Sequence, residues 1–177
     1  DFNAALGKHC SVSIKAIGGG KRWFDGILTE TQCLGMRDGG LVYRLVLRPW
    51  LWVLSQRKNS LIFHTKTAPD IIAEIFSKYG SLADHGKVLS KGHPQLEYCV
   101  QYRESDLAFV CRLMEQHGIS YHFQHREGGH KLVMGDSKSA YPDIPNETRP
   151  YYPVSGQYSR DEEHFFHDAK TGGTVVF

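Results

Sequence analysis

Leu96-Glu97-Tyr98-Cys99-Val100-Gln101-Tyr102-Arg103-Glu104-Ser105-Asp106-Leu107-Ala108-Phe109-Val110-Cys111-Arg112-Leu113-Met114 changes its apolar period halfway along. In the first half Leu96, Tyr98, Val100 and Tyr102 recur every second residue, which places them on one side of a strand. From Ser105 onward the spacing becomes three and four, and Leu107, Val110, Cys111 and Met114 form one stripe of a helix. Ser105 suits the N-cap, and Gly118 supplies the stop. A strand that runs straight into a helix indicates a mixed fold.

The neighbouring segments extend this reading. Upstream, Thr67-Ala68-Pro69-Asp70 reads as a helix start with Thr67 as N-cap. Ile71, Ile72, Ile75, Phe76 and Tyr79 then share a face, and Gly80 ends the helix. Downstream, Ile119, Tyr121 and Phe123 alternate with Ser120, His122 and Gln124. The turn is Arg126-Glu127-Gly128-Gly129, and the return strand runs from Lys131 to Met134. Both helices are expected to pack on a common sheet made of Leu96–Tyr102 and this hairpin.

The first third reads as a three-stranded meander. Its strands are Ser11–Ala16, Trp23–Cys33 and Leu41–Leu47, joined at Gly18-Gly19-Gly20-Lys21 and at Arg37-Asp38-Gly39-Gly40. The Asp-Gly pair is a hairpin signal. The third strand is apolar on both faces and therefore reads as central. Pro49 opens a short aromatic helical segment that ends near Ser55. Pro142, Pro145, Pro150 and Pro153 mark an extended crossing segment, and a strand is expected to resume at Gln157. The class is α+β and strand-dominated, with two helices in the middle.

A chain of 177 residues has room for one domain or two small ones. With 21 basic against 19 acidic residues, it has no global charge that would draw it to nucleic acid or an anionic membrane. The longest purely apolar run, Trp50–Leu54, is far short of the ~20 residues of a membrane-spanning helix. The chain opens on Asp1-Phe2-Asn3 without the features of a signal peptide, and Thr174–Phe177 reads as an interrupted strand, so an excerpt of a longer protein is expected. Cys10, Cys33, Cys99 and Cys111 form no C-x-x-C pair and read as reduced thiols in apolar-patterned segments.

No catalytic, cofactor-binding or metal-binding residue is expected. The ten histidines raise zinc as a question. His122 and His125, like His164 and His167, are three apart, which on a strand sends them to opposite faces. His122 and His130 are placed to share a face across the turn, but no third ligand is near them in sequence. Cys111 lies on a helix's apolar stripe. Cys99, opposite in phase to Tyr98 and Val100, reads as the more exposed thiol. Neither is framed by a nucleophile motif. Gly18–Lys21 lacks phosphate-loop spacing and joins two strands. Asp161-Glu162-Glu163 reads as a solvated run, and Trp50-Leu51-Trp52 as core or as an interface.

Three stretches carry a resemblance. Leu47–Leu54 resembles the "PWLWLL" segment of the VgrG family, the valine–glycine repeat spike proteins of type VI secretion. Ile62–Ile72 is similar to that family's "RIFQNKSVPDII", with Leu61 where the family usually has Arg. Tyr98–Val110 resembles its "CVQYRETDLDFV", and Arg112–Phe123 continues as its "RLMEEEGIYYFF". Order and spacing agree from residue 6 to about 145.

The resemblance implies phage-tail-hub-like barrel segments with an inserted α+β module that carries the two helices. Residues 1–56 would belong to a first barrel-like hub domain, 57–145 to the insertion, and 146–177 to the start of a second barrel. It implies a structural spike component without enzymatic activity, a homotrimer in the full-length protein that caps a hexameric tube. Effectors or adaptors would be carried through C-terminal regions. Assembly is expected in the bacterial cytoplasm, followed by translocation into a target cell, with no cofactor and no nucleic-acid partner. The alternatives are a hub protein of a contractile phage or phage-like particle and, from another class, a thiol-dependent hydrolase built on Cys99 or Cys111.

Overall fold

The computed structural model describes residues 2–15, 20–37 and 39–143. The chain divides into two compact units, Asp1–Tyr141 and Pro142–Phe177. All the elements described belong to the first. Pro145, Pro150, Pro153 and the strand expected at Gln157 lie outside the described residues.

The first sheet is an antiparallel meander of β1 (His9–Lys15), β2 (Lys21–Arg37) and β3 (Gly40–Arg48). Gly18 and Gly19 lie outside the described residues; Lys15 pairs with Lys21. The strand order β1-β2-β3 makes β2 central and corrects the reading of the third strand as the central one. The apolar residues of β3 do not signal burial on two faces: Leu41, Tyr43 and Leu45 are exposed. β2 runs for 17 residues and is bent by register shifts between Leu28 and Glu30 and between Cys33 and Gly35. Gly26 allows close packing in this sheet: a Cβ there would lie 3.0 Å from the Leu47 Cβ and 3.1 Å from the Arg48 carbonyl oxygen.

Pro49 begins a 3-10 segment, Trp50–Gln56, that leads into β4 (Lys58–Thr67). β4 feeds α1 (Ala68–Ser77). Thr67 caps α1 as expected, its Oγ1 accepting from the Asp70 amide at 3.3 Å while donating to the Asp70 carboxylate at 2.6 Å. After β5 (His85–Val88), β6 (Gln95–Ser105) leads into α2 (Asp106–Gln116), which Ser105 caps through the Ala108 amide at 3.1 Å. Gly118, at φ +63, ends the turn after α2. The hairpin of β7 (Ser120–Arg126) and β8 (Gly129–Gly135) follows.

The common sheet expected under both helices does not form. β6 pairs with β4 in a separate two-stranded ribbon, and the hairpin joins β5 in the order β5-β8-β7. The free edge of β8 is taken by the parallel strand β5, so β6 has no place there. The helices instead share one core with both sheets. Phe63 and Cys99 of the ribbon, Ile71, Ile72, Ile75 and Phe76 of α1, Phe109, Val110 and Leu113 of α2, and Leu132 and Met134 of β8 belong to a single buried cluster.

Two faces differ from the sequence reading. In β6 the regular apolar set points outward: Tyr98 and Tyr102 are 65% and 66% exposed, while Cys99 and Gln101 point inward. The alternation was visible, but its direction was set by which face met α2. In α2 the buried face is Asp106, Phe109, Val110, Leu113 and Met114, with Leu107 and Cys111 at its margin. Phe109 stacks on Phe63 with ring centroids 5.6 Å apart, which turns the helix toward the ribbon.

Val110 is fully buried. Val110→Asp would place an unpaired carboxylate there and is expected to cost roughly 3–5 kcal/mol. The check is the denaturation midpoint, and an unchanged midpoint would contradict this packing.

Candidate functional site

The most connected polar cluster starts at Asp25, a charged residue inside the apolar run of β2. Its side chain is fully inaccessible. The His130 Nδ1–H and the His9 Nδ1–H both donate to Asp25 Oδ1 at 2.7 Å, and the Ser11 hydroxyl donates to Oδ2 at 2.7 Å. The other nitrogen of His130, Nε2, accepts the Trp50 amide at 2.8 Å. His125 Nδ1 accepts the Asp25 amide at 3.1 Å, and Ser11 Oγ accepts the Gly128 amide at 2.9 Å. The cluster therefore ties β1 and β2 to the β7–β8 hairpin and to the start of the 3-10 segment.

The pattern decides what this cluster can do. His9, Asp25 and His130 bring ligand atoms within 4.8 Å of one another, close enough to suggest a metal. His130 Nε2, however, spends its lone pair on the Trp50 amide, so in the neutral ring Nδ1 must carry the proton and cannot coordinate. Nor is this a nucleophile triad. The Ser11 hydroxyl donates to the carboxylate and not to an imidazole, so no base is placed to activate it. Burial alone would raise the Asp25 carboxyl. The hydrogen bonds from His130, His9 and Ser11 more than offset that and hold it below its ordinary value of 3.8. Burial pushes His130 below 6.5, with Asp25 opposing, so its neutral form is favoured.

Two further buried carboxylates repeat the arrangement. Asp106 Oδ1 accepts from the Asn59 and Gln101 side-chain amides at 2.8 Å each, and Oδ2 accepts from the Tyr79 hydroxyl at 2.7 Å. This joins β4, β6 and the end of α1 to the first turn of α2. Burial would raise this carboxyl too, and the three donors hold it below 3.8. Asp136 accepts the Ser90 and Lys91 amides at 2.8 and 2.9 Å, the Ser90 hydroxyl at 3.0 Å and His93 Nε2 at 3.1 Å. The Ser90 amide is the main cause holding Asp136 well below the carboxylate range, and these bonds pin the β5–β6 connection to the end of β8.

The residues weighed in the sequence fall elsewhere. His122 pairs with Val133 while His130 pairs with His125, so His122 and His130 lie on opposite faces, which corrects the expectation that they share one. The true neighbours of His130 are His9 and Asp25, more than 100 residues away in sequence. The signal that could have found them was an acid at Asp25 among Phe24, Ile27 and Leu28. Cys99 is buried and not the exposed thiol expected; burial raises its thiol above 9.0, as it does that of Cys111. Both therefore favour the unreactive protonated form. Trp50 is core: fully buried, edge-on to Phe76 at 4.9 Å, its indole donating to the Asp84 carbonyl at 3.1 Å. His164, His167 and Asp161–Glu163 lie outside the described residues.

These features describe a strand-dominated module in which three buried carboxylates, Asp25, Asp106 and Asp136, are hydrogen-bonded across its layers. Residues 1–175 match the phage tail baseplate hub (GPD) family, and the chain belongs to it. Its relatives include the type VI secretion system spike protein VgrG1c of Pseudomonas aeruginosa, 39% identical over 93% of this chain and 23% of that protein. VgrG1a of the same organism is 36% identical over 91% of this chain and 25% of its own length. The actin cross-linking toxin VgrG1 of Vibrio cholerae is 39% identical over 64% of this chain and 10% of its length. Among solved structures, the E. coli c3393 protein matches with a TM-score of 0.71 and 23% identity, over 86% of this chain and 41% of its own. It is described as a component of the type VI secretion system with structural similarity to the T4 bacteriophage tail proteins gp27 and gp5. The hub-like fold expected from the sequence is thereby established. The chain spans about a quarter of the VgrG1c and VgrG1a spike proteins.

Two outcomes are expected. Asp25→Asn, which removes the charge that orients two histidines and Ser11, should destabilise the chain by about 2–3 kcal/mol in urea titration. In a native thiol-reagent assay Cys33, which is exposed, should react first and Cys99 only on unfolding. A fast-reacting Cys99 would reopen the thiol-enzyme reading.

Proposed function

We propose that this chain is the hub region of a type VI secretion spike, a structural part of a trimeric cap on a hexameric tube that punctures target cells and delivers effectors. On this reading it has no catalytic, cofactor or metal residue. Residues 1–56 belong to the first barrel-like hub domain, 57–145 to the insertion and 146–177 to the start of the second barrel. The full-length protein assembles in the bacterial cytoplasm and is then translocated. Its effectors or adaptors are carried by regions beyond this chain, and any enzymatic activity of such a parent resides there too.

The observation that carries this reading is the uncovered apolar surface of the meander. Met36, Leu41, Ile14 and Val12 are 74%, 57%, 56% and 49% exposed, and Leu34, Tyr43 and Leu45 add to the surface. A chain that works alone rarely leaves so much apolar area in water. Closure against further strands of the same chain and against symmetry-related copies removes both the apolar face and the open strand edges.

The test is made on the full-length protein. Met36→Glu with Leu41→Glu should reduce the trimer to smaller species in light scattering and abolish secretion, while Cys99→Ser with Cys111→Ser should leave both intact. Because Met36 and Leu41 are exposed here, the double charge variant of the isolated chain should keep its melting temperature. A full-length charge variant that still forms trimers and is secreted normally would overturn the role given to this surface. Loss of a hydrolytic activity in the double serine variant would favour an enzyme.

A further inference from the structure

We propose that the Asp25–His130–His125 cluster is an acid-sensitive latch between the meander and the β7–β8 hairpin, closed while both imidazoles are neutral and opened when they are protonated. The inference goes beyond the hub role and does not depend on it. It rests on the direction of two hydrogen bonds. His130 Nε2 accepts the Trp50 amide at 2.8 Å, and His125 Nδ1 accepts the Asp25 amide at 3.1 Å. A protonated imidazole has two N–H groups and no acceptor. Protonation therefore turns each of these bonds into two facing donors. An unpaired buried amide costs more than the loss of an ordinary hydrogen bond.

Burial of His130 favours the neutral ring and outweighs the Asp25 carboxylate, which favours the charged one. From β1, His9 faces His130 with ring centroids 5.7 Å apart. From β7, His125 faces it at 5.8 Å and Phe123 at 5.5 Å. From β2, the Asp25 carboxylate accepts its Nδ1–H. Arg126, next in sequence to His125, is paired with Asp84 at 2.8 Å. The Asp25 charge favours a second proton on His130, but that proton on Nε2 would be buried, would meet the Trp50 amide and would stand beside His9 and His125. Solvent reaches the cluster through a cleft lined by His9, Asp84, Arg126, Gly128 and His130. His125 is itself exposed.

The sign follows from the two shifts. His130 is lowered from 6.5, so the unfolded or opened chain binds a proton more readily than the closed one. The stabilisation is complete above 6.5 and is lost as pH falls from there through the lower value of the closed state. Asp25 has the same sign, but its loss begins only as pH falls below 3.8. A loss that begins near 6.5 therefore belongs to His130 and not to the Asp25 carboxylate.

The experiment is hydrogen exchange on the full-length protein at pH 7.5 and 5.5, corrected for the intrinsic rate at each pH. Peptides containing Asp25 and Trp50 should lose protection by up to about tenfold at the lower pH, while a peptide from α2 should not. His125→Asn keeps an acceptor oxygen near the position of Nδ1 but does not titrate. It should abolish the response at Asp25 and leave that at Trp50. His130→Gln keeps an acceptor near the position of Nε2 and should abolish the response at Trp50. If H130Q fails to fold, H125N and the wild-type contrast between Trp50 and α2 still decide the matter. Unchanged protection at pH 5.5, an equal loss in α2, or a wild-type response at Asp25 in H125N would overturn the latch.

Discussion

The carboxylate of Asp25 is ionised in dry surroundings and touches no Lys or Arg among the described residues, and that constraint organises the first unit. Taking such a charge out of water costs several kcal/mol after relaxation. Three bonds from His130, His9 and Ser11, at roughly 1.5–3 kcal/mol each for a charged acceptor, are of the size needed to offset it. All three must be in place together, because a partly satisfied buried charge is worse than none. The donors come from β1 and β8, so the folded charge requires the meander and the hairpin to meet in one register. Hydrophobic contact alone would tolerate several.

The same solution recurs where the other layers meet. Asp106 gathers Asn59, Tyr79 and Gln101, so the ribbon and both helices converge on one carboxylate. Asp136 gathers Ser90, Lys91 and His93, so a connection without regular structure is fixed to the end of β8. Between these knots the apolar cluster supplies most of the driving force, with Trp50, Phe76, Phe109 and Leu113 fully buried. The division of labour follows from the physics: apolar burial is large and non-directional, while hydrogen bonds to a charge are directional and intolerant of slippage.

Local elements were legible in the sequence because their signals are local. Thr67 and Ser105 cap helices, Arg37–Gly40 turns a hairpin, and the alternation from Ser120 to Phe123 is a strand. What failed was information that depends on a partner. The alternation of β6 is the same whichever face is buried, so Tyr98 and Tyr102 could be read as core although they face outward. β3 could be read as central because residues uncovered within one chain look like residues buried on two faces. β5 has only four residues and no period, and its parallel pairing displaced β6 from the sheet assigned to it. The Asp25 cluster was hidden for the same reason: His9, Asp25 and His130 share no sequence window, and the obvious histidine pair, His122 with His125, divides between two faces.

The absence of a motif and the density of internal polar contacts are linked. A reactive group needs an unsatisfied lone pair or proton aimed at a space where a substrate fits. At Asp25, Asp106 and Asp136 the lone pairs that make a carboxylate useful are already occupied by donors from other layers. Ser11 is spent on Asp25 and the Gly128 amide, and His130 is bonded at both nitrogens. Chemistry is thus excluded from these clusters by the bonds that give the unit its shape. Outside these clusters, Gln101 Oε1 and His122 Nε2 are buried without a hydrogen-bond partner among the described residues, and exposed apolar area lies along the meander and on Ile62, Tyr98 and Tyr102 of the ribbon. The exposed apolar area is surface available for association. Two of the committed bonds also depend on a neutral imidazole, so they are the bonds that a proton removes.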